Sequence, residues 1–202
     1  MLVSDRRRLP GGDLPRLAAA AARAGVEWIQ VREKDLSDRE LARLAGEVVR
    51  AAAGTPARLL VNGRPDVAEA AGAHGVQLPE QGLAVGAVKR SFPRLVVGAS
   101  RHSVEGARRA EAEGADFVLL GPVFPTPGKE AAVLGAGPLA EAAAALRVPV
   151  FAIGGVTAET AREACAAGAR GLAAIRPFLA VDVAEAVRAL RSAAAAGRRP
   201  RS

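Results

Sequence analysis

The amino-acid sequence predicts an α/β fold made of eight strand–helix units, and three observations support this prediction. Short apolar runs alternate with longer, alanine-rich amphipathic segments along the whole chain, which is typical of βα units and a parallel sheet. Similar segments recur at a spacing of about two units, and no linker or change of composition divides the 202 residues. We therefore predict a single-domain TIM (β/α)8 barrel over residues 1–196, followed by a basic, flexible tail at 197–202.

The apolar runs define the predicted strands, and the amphipathic segments define the helices. The strands are predicted at residues 2–4, 28–32, 58–62, 75–78, 95–98, 117–120, 149–153 and 171–175. The helices are predicted at 13–24, 37–53, 65–71, 83–91, 103–113, 137–146, 157–167 and 182–195. Two helices carry strong start signals, since Ser37 with Glu40 and Thr157 with Thr160 have the spacing of a capping box.

A repeated segment supports the count of units. AARAGVEWIQV, AEAAGAHGVQL, AEAEGADFVLL and ACAAGARGLAAI each combine an alanine-rich helix end, a glycine and a strand. The glycines, which are Gly25, Gly72, Gly114 and Gly168, suit the left-handed conformation that ends many helices. The repeat is expected if the whole chain is built from one supersecondary unit.

Composition and charge exclude several classes of protein. The net charge is +7, but the basic excess lies at the two ends, and no stacking aromatics or zinc-ligand spacing accompany it. We therefore expect no nucleic-acid partner. The lone Cys165 excludes a disulfide framework, no apolar run approaches the roughly twenty residues of a membrane span, and there is no signal-peptide pattern. We expect a cytoplasmic protein without a membrane partner.

A polar stripe on the second predicted strand is the first candidate for a site. Gln30, Arg32 and Lys34 alternate with Ile29 and Val31, so the polar and apolar side chains lie on opposite faces of the strand. A solvent-facing strand could carry the same stripe. In a closed barrel, however, the stripe faces the interior and the mouth, where two cations need an anionic ligand or a carboxylate.

Further candidates follow the other strands, because functional groups of such barrels lie at the carboxyl ends of the strands. They are Asn62, Gln77, Ser100, His102, Thr126 and Lys129. The last two belong to a proline- and glycine-rich loop at 121–130, which is either a mobile lid with one lysine over an anionic substrate or an ordinary solvated loop.

A phosphate site is predicted on the last two loops. Gly154 and Gly155 permit a close backbone approach, and the helix that begins near Thr157 directs free N–H groups toward the same place. Ile175 and Arg176 open the neighbouring loop, and these two loops form the usual phosphate site of the fold. The alternative is that the glycines only form a tight strand-to-helix turn.

Six segments carry a resemblance to a known family. QVREKD, LLVNGRPDVA, GAHGVQLPEQ, VGASRHS, GADFVLLGPVFPTPGK and VFAIGGVTAE occur in one collinear order over essentially the whole chain. Together they resemble the thiamine phosphate synthase/TenI superfamily, and VQLP with the NGR run is similar to its TenI branch. The resemblance implies a TIM barrel that binds a thiazole phosphate, with or without the pyrimidine diphosphate that the synthase condenses with it.

The resemblance also implies roles for individual residues. The positions that hold the diphosphate in the synthase correspond here to Gln30, Arg32 and Lys34. The asparagine of the synthase, its serine after the fifth strand and its lid threonine and lysine correspond to Asn62, Ser100, Thr126 and Lys129. The positions that hold the thiazole phosphate correspond to Gly155, Ile175 and Arg176, the last in place of the usual serine. Arg176 either adds a bidentate contact to phosphate or points outward.

Two departures from the family pattern affect the expected chemistry. The two aspartates that hold Mg²⁺ in the synthase are replaced by Gly63 and Gly82, and Glu80 lies two positions before the second of them. We therefore expect no metal and no cofactor, with Mg²⁺ required only if the synthase alternative holds. The acid/base histidine of TenI is replaced by Pro122, which cannot transfer a proton; His102 is the remaining histidine on a mouth loop.

The sequence thus predicts an enzyme of thiamine biosynthesis with a small phosphorylated thiazole as its partner. Our main hypothesis is TenI-type tautomerisation of a carboxythiazole phosphate, with Arg32, Lys34 and His102 as catalytic residues. One alternative is a thiamine phosphate synthase, and another is a non-catalytic or regulatory protein that binds thiazole or thiamine phosphate. The alanine-rich helices are compatible with a homodimer.

Overall fold

The structure is a computed structural model that describes residues 1–128, 132–179 and 182–198. The strands are β1 (Leu2–Val3), β2 (Trp28–Val31), β3 (Arg58–Asn62), β4 (Gly75–Leu78), β5 (Val96–Arg101), β6 (Phe117–Leu120), β7 (Val150–Ile153) and β8 (Gly171–Ala173). The helices are α1 (Leu14–Arg23), α2 (Asp38–Ala51), α3 (Pro65–Ala70), α4 (Val85–Ser91), α5 (Val104–Ala112), α6 (Ala136–Ala145), α7 (Ala158–Ala166) and α8 (Val183–Gly197).

The strands form one parallel sheet in sequence order, which closes on itself. Each strand pairs with the next from β1 to β8. A bridge between Leu2 and Ala174 then joins the two ends of the sheet, and the Val3 N–H donates to the Ala174 carbonyl at 2.9 Å. The predicted single-domain TIM barrel is confirmed.

The alternation of side chains along each strand separates the inside of the barrel from the outside. Val3, Leu60 and Leu119 belong to a cluster that fills the interior. Ile29 and Val31 lie on the opposite face, where they are almost fully buried among the surrounding helices. Within β2 the predicted division is confirmed for Gln30, which pairs with the interior residues Val3 and Leu60. Arg32 and Lys34 follow the end of the strand.

Local signals place several helix ends as predicted. The side chains of Ser37 and Thr157 each accept the N–H of the residue three positions on, and both capping boxes are present. The four repeat glycines have φ angles between 70° and 98°, in the left-handed region where a side chain is strained.

Most element boundaries differ from the sequence prediction by one or two residues, and three elements differ in ways that affect the architecture. Strand β5 runs through Ser100 to Arg101, because both residues continue the pairing with β6. Strand β8 ends at Ala173, and the chain then forms a short 3₁₀ helix at Arg176–Leu179 that the sequence did not predict. Helix α8 extends through Gly197, where an added Cβ would overlap the Arg162 carbonyl. The predicted tail thus begins within this helix, and its residues 199–202 lie outside the described part of the chain.

Among the residues that the structure describes, no helix has both the length and the apolar character needed to cross a membrane.

A buried carboxylate joins the ends of β1 and β2. Glu33 is 6% exposed and turns away from the barrel interior, where it accepts the Ser4 hydroxyl and, at 3.1 Å, the Arg6 N–H. The Ser4 Oγ in turn accepts the Arg32 N–H at 2.8 Å, so this network fixes the backbone beneath the Arg32 side chain. Burial raises the pKa of Glu33 above its ordinary value of 4.5, and the hydrogen bonds from Ser4 and Arg6 oppose that rise.

The raised pKa of Glu33 predicts a pH dependence of stability. Folded Glu33 binds its proton more tightly than Glu33 of the unfolded chain does. The resulting contribution to the free energy of unfolding is therefore fully present below pH 4.5 and is lost as the pH rises through the pKa of Glu33 in the folded protein. We expect the free energy of unfolding of the wild type to fall, relative to that of Glu33→Gln, as the pH rises above 4.5. Chemical denaturation across this range measures the difference. Glu113→Gln, at an exposed position, is the control, and parallel profiles for wild type and Glu33→Gln would contradict the prediction.

Candidate active site

The carboxyl ends of β2 to β5 bring four predicted residues together in two pairs. The Gln30 Nε2 donates to the Asn62 Oδ1 at 3.0 Å, and the Gln77 Nε2 donates to the Ser100 Oγ at 2.9 Å. Each pair crosses from one strand to its neighbour. The two glutamines are 2% and 0% exposed, so they form the floor of a polar mouth rather than its rim.

The side-chain oxygen of each glutamine accepts no hydrogen bond from the described part of the chain. These atoms are the Oε1 of Gln30 and the Oε1 of Gln77, both fully buried. A buried polar atom without a partner costs about 1–3 kcal/mol, so a core chosen only for stability would avoid two of them. Their presence on the interior face marks this end of the barrel as a site.

The mouth above this floor is positively charged. Arg32 is half-buried and Lys34 is exposed, whereas Glu33 between them faces the other way. Over residues 1–128, 132–179 and 182–198, neither cation is within salt-bridge distance of a carboxylate. The charge on this strand is therefore available to an anion.

The two glycines after β7 are required by packing. Gly154 and Gly155 have φ angles of 94° and 61°. A Cβ on Gly154 would lie 2.5 Å from the Pro122 Cβ, and one on Gly155 would overlap the Pro125 carbonyl. Both positions require glycine because the backbone there lies against the loop after β6. The alternative of a tight strand-to-helix turn does not include this contact.

The predicted phosphate site keeps three free backbone donors. At the start of α7 the Thr160 Oγ1 accepts the Thr157 N–H at 2.9 Å and the Thr157 hydroxyl donates to Glu159 at 2.6 Å, so the Thr157 N–H is not available to a ligand. The N–H groups of Gly155, Ile175 and Arg176, all of them residues predicted to bind phosphate, have no acceptor among the described residues.

These remaining donors lie where the fold ordinarily binds phosphate, on the loops after β7 and β8 and at the start of a short extra helix. Here the extra helix is the 3₁₀ helix at Arg176–Leu179. Phosphate binding at this place stays a prediction.

The described part of the loop after β6, residues 121–128, is hydrogen-bonded to its neighbours. The Val123 N–H donates to the carbonyl of Ile153 at the end of β7 at 2.9 Å, and the Phe124 N–H donates to the Gly154 carbonyl at 3.1 Å. The Arg176 Nη2 donates to the Pro127 carbonyl at 2.6 Å, so this guanidinium holds the loop. Thr126 is half-buried in the same loop, while Lys129 lies outside the described residues and its predicted role is not addressed.

The His102 side chain lies next to the position of the missing TenI histidine. Its Nδ1 contacts the carbonyl of Gly121, the residue before Pro122, and its backbone N–H donates to the Glu80 carboxylate at 2.7 Å. A ring nitrogen that hydrogen-bonds to a carbonyl donates its proton, so in the neutral imidazole the lone pair is on Nε2. The neutral form of this ring thus presents Nε2 as its proton acceptor.

The described residues do not fit a magnesium site built from protein carboxylates. Asp66 is held by Arg64 at 2.6 and 2.9 Å, which lowers the pKa of that carboxyl, and Glu80 is engaged with His102. Gly63, at one of the two family aspartate positions, carries no carboxylate and has a φ of 73°. No group of three or more metal-ligating side chains occurs in the described part of the chain.

Two residues that shape the site were missed in the sequence. The sequence does not reveal the role of Glu33, because its partners, Ser4 and Arg6, are remote in the chain. Gly98 lies within the predicted fifth strand, and a Cβ there would overlap both the Gln77 Oε1 and the Phe117 ring. A glycine inside a strand often marks such a close approach, and this signal was available.

Comparisons with known proteins agree with this architecture. The family profile described as "Thiamine monophosphate synthase" matches residues 1–178. A putative thiamine-phosphate synthase 2 of Aquifex aeolicus is 42% identical over 178 residues, covering 88% of this chain and 95% of the relative. A thiamine-phosphate synthase of Methanoculleus marisnigri is 44% identical over 190 residues, covering 92% and 89%.

A solved structure supports the same assignment. A thiamine phosphate pyrophosphorylase from Pyrococcus furiosus superimposes with a TM-score of 0.88 at 34% identity, covering 96% of this chain and 94% of the other. The relatives carry the synthase name, so they support the superfamily that we expected but not its TenI branch. The chain belongs to the thiamine monophosphate synthase family.

Proposed function

We propose that this protein is a thiamine-phosphate synthase-type transferase, which joins a hydroxymethylpyrimidine diphosphate to a thiazole phosphate. The observation that carries the proposal is the pair of uncompensated cations, Arg32 and Lys34, above a floor of buried amides. An anion with several charged oxygens matches such a mouth. The names of the relatives favour this reaction over the tautomerisation that was our main hypothesis.

The residues of the mouth supply binding, orientation and charge stabilisation. In the reaction, the thiazole nitrogen forms a bond to the pyrimidine methylene carbon while the carbon–oxygen bond to diphosphate breaks, and the electron pair leaves with the diphosphate. The Arg32 guanidinium and the Lys34 ammonium stabilise the negative charge that grows on this leaving group. This stabilisation needs no proton transfer, because both groups already carry a positive charge. The N–H groups of Gly155, Ile175 and Arg176 hold the phosphate of the thiazole on the other side of the mouth.

The family pattern implies Mg²⁺, but Asp66 is paired with Arg64 and Glu80 accepts the His102 N–H, so we derive no step through a metal. In this proposal the positive charge at the leaving group comes from side chains. That feature would separate this chain from the synthase pattern, in which aspartates take the positions of Gly63 and Gly82.

A second candidate function rests on the position of His102. Its ring contacts the Gly121 carbonyl, beside the place of the TenI histidine, and its Nε2 is free to accept a proton. Tautomerisation of a carboxythiazole phosphate moves one proton and needs such a group. If the protein accelerates neither reaction, its role is binding alone.

An assay with both substrate sets decides between these functions. We expect the purified protein to form thiamine phosphate from hydroxymethylpyrimidine diphosphate and thiazole phosphate, measured as fluorescent thiochrome after oxidation, with and without Mg²⁺. In a parallel reaction, carboxythiazole phosphate should isomerise no faster than in buffer. Isomerisation above the buffer rate without any thiamine phosphate would reverse the ranking, and the absence of both products would leave binding alone.

The cation at position 32 provides a second test. We expect Arg32→Ala to weaken the binding of inorganic diphosphate by about 1.5–3 kcal/mol, the range for a hydrogen bond to a charged group. Isothermal titration calorimetry measures the affinity. Arg50→Ala, which removes an exposed arginine from the far end of α2, is the matched control and should bind as the wild type does. Equal affinities for Arg32→Ala and the wild type would place the anion elsewhere.

A further inference from the structure

We propose that Gln77 is a positioning residue, which fixes the hydroxyl of Ser100 as a hydrogen-bond donor toward the ligand. The inference rests on the proposed function, because the ligand oxygen that receives this hydrogen bond belongs to the leaving diphosphate. Gln77 itself acts through Ser100 and is not assigned a contact with the reacting atoms.

The orientation of the Gln77 amide is set by β5. Gly98 and Ser100 lie two residues apart on the interior face of that strand, with Ser100 nearer the mouth, and Gln77 is paired with Gly98 in the sheet. A Cβ on Gly98 would overlap the Gln77 Oε1, so this oxygen rests directly over the glycine. The Nε2 reaches the Ser100 Oγ at 2.9 Å. The amide therefore lies along β5 with its oxygen directed inward and its nitrogen directed to the mouth.

This orientation decides the role of the serine hydroxyl. The Gln77 N–H donates, so the Ser100 Oγ accepts and its own hydrogen must point elsewhere. In the part of the chain that the structure describes, the Ser100 hydroxyl donates to no other group. Ser100 is half-buried at the mouth, on the strand next to the one that carries Gln77, so its hydrogen is free for an oxygen of a bound anion.

Packing does not account for Gln77. The side chain is completely buried, and its Oε1 has no partner, so a methionine or leucine of similar size would fill the space without burying an unpaired oxygen. The glycine at position 98 leaves space that this oxygen shares with the Phe117 ring. The unpaired oxygen is a cost in a purely structural core. It is explained if the amide is kept for the hydrogen bond at its other end.

A double-mutant cycle tests the inference. The variants are Gln77→Met, Ser100→Ala and the two combined, with Gln81→Met, at an exposed position in the next loop, as the matched control. For each, the measurements are the Kd for inorganic diphosphate, kcat and KM for the condensation, and the temperature of unfolding. Gln77→Leu replaces Gln77→Met if the latter does not fold.

The expected result is non-additivity. Gln77→Met should weaken diphosphate binding and lower kcat by roughly fivefold, and Ser100→Ala by roughly tenfold or more. The double variant should be no worse than Ser100→Ala alone, because Gln77 acts only through that hydroxyl. Gln81→Met should match the wild type.

The contrary results separate the inference from the proposed function. Effects of the two substitutions that multiply, or a Gln77→Met variant with unchanged Kd and kcat, would overturn the positioning role. If the wild type forms no thiamine phosphate but binds inorganic diphosphate, the proposed function is wrong. The Kd values of the wild type and the three variants then test the positioning role of Gln77 by themselves. A wild type that does not bind inorganic diphosphate would overturn both.

Discussion

The closure of β8 onto β1 is the constraint on which the rest of the site depends. A closed parallel barrel has an interior that is lined by every second residue of each strand, and the cluster around Leu60 and Leu119 fills its lower part. Polar side chains can therefore stand inside only near the open end, and there they must pair with one another. The pairs Gln30–Asn62 and Gln77–Ser100 are the result, each linking two neighbouring strands.

The sequence predicted the fold well because its signals are local. Strand alternation, alanine-rich helix faces, the capping box at Ser37 and the glycines that end helices each need only a few consecutive residues. The same alternation correctly turned Gln30 toward the interior. The signals failed where pairing partners are remote: β5 is longer than its apolar run because Arg101 pairs with Leu120, and β8 is shorter because the chain turns into a 3₁₀ helix.

The same distinction applies to the candidate site. Pro122 excludes a histidine at one position of the chain, but the barrel brings the His102 ring to the preceding carbonyl from a different strand. Likewise, the contact of Arg176 with Pro127 depends on a side-chain conformation that no spacing reveals. Residue type and strand alternation predicted which groups face the mouth. They did not predict which of those groups form hydrogen bonds with a neighbouring residue.

The mouth consists of two halves that are built differently. Over β2 to β5 it is formed by side chains, such as Arg32 and the Gln77–Ser100 pair, whereas over β6 to β8 it is formed by backbone that is packed too closely at Gly154 and Gly155 for any Cβ. Single substitutions can therefore redesign recognition of the first part of a ligand without moving the main chain. Recognition of the second part is fixed by the path of the loops, so it changes only when a loop is rebuilt. A protein engineer would retarget this barrel from the β2 side.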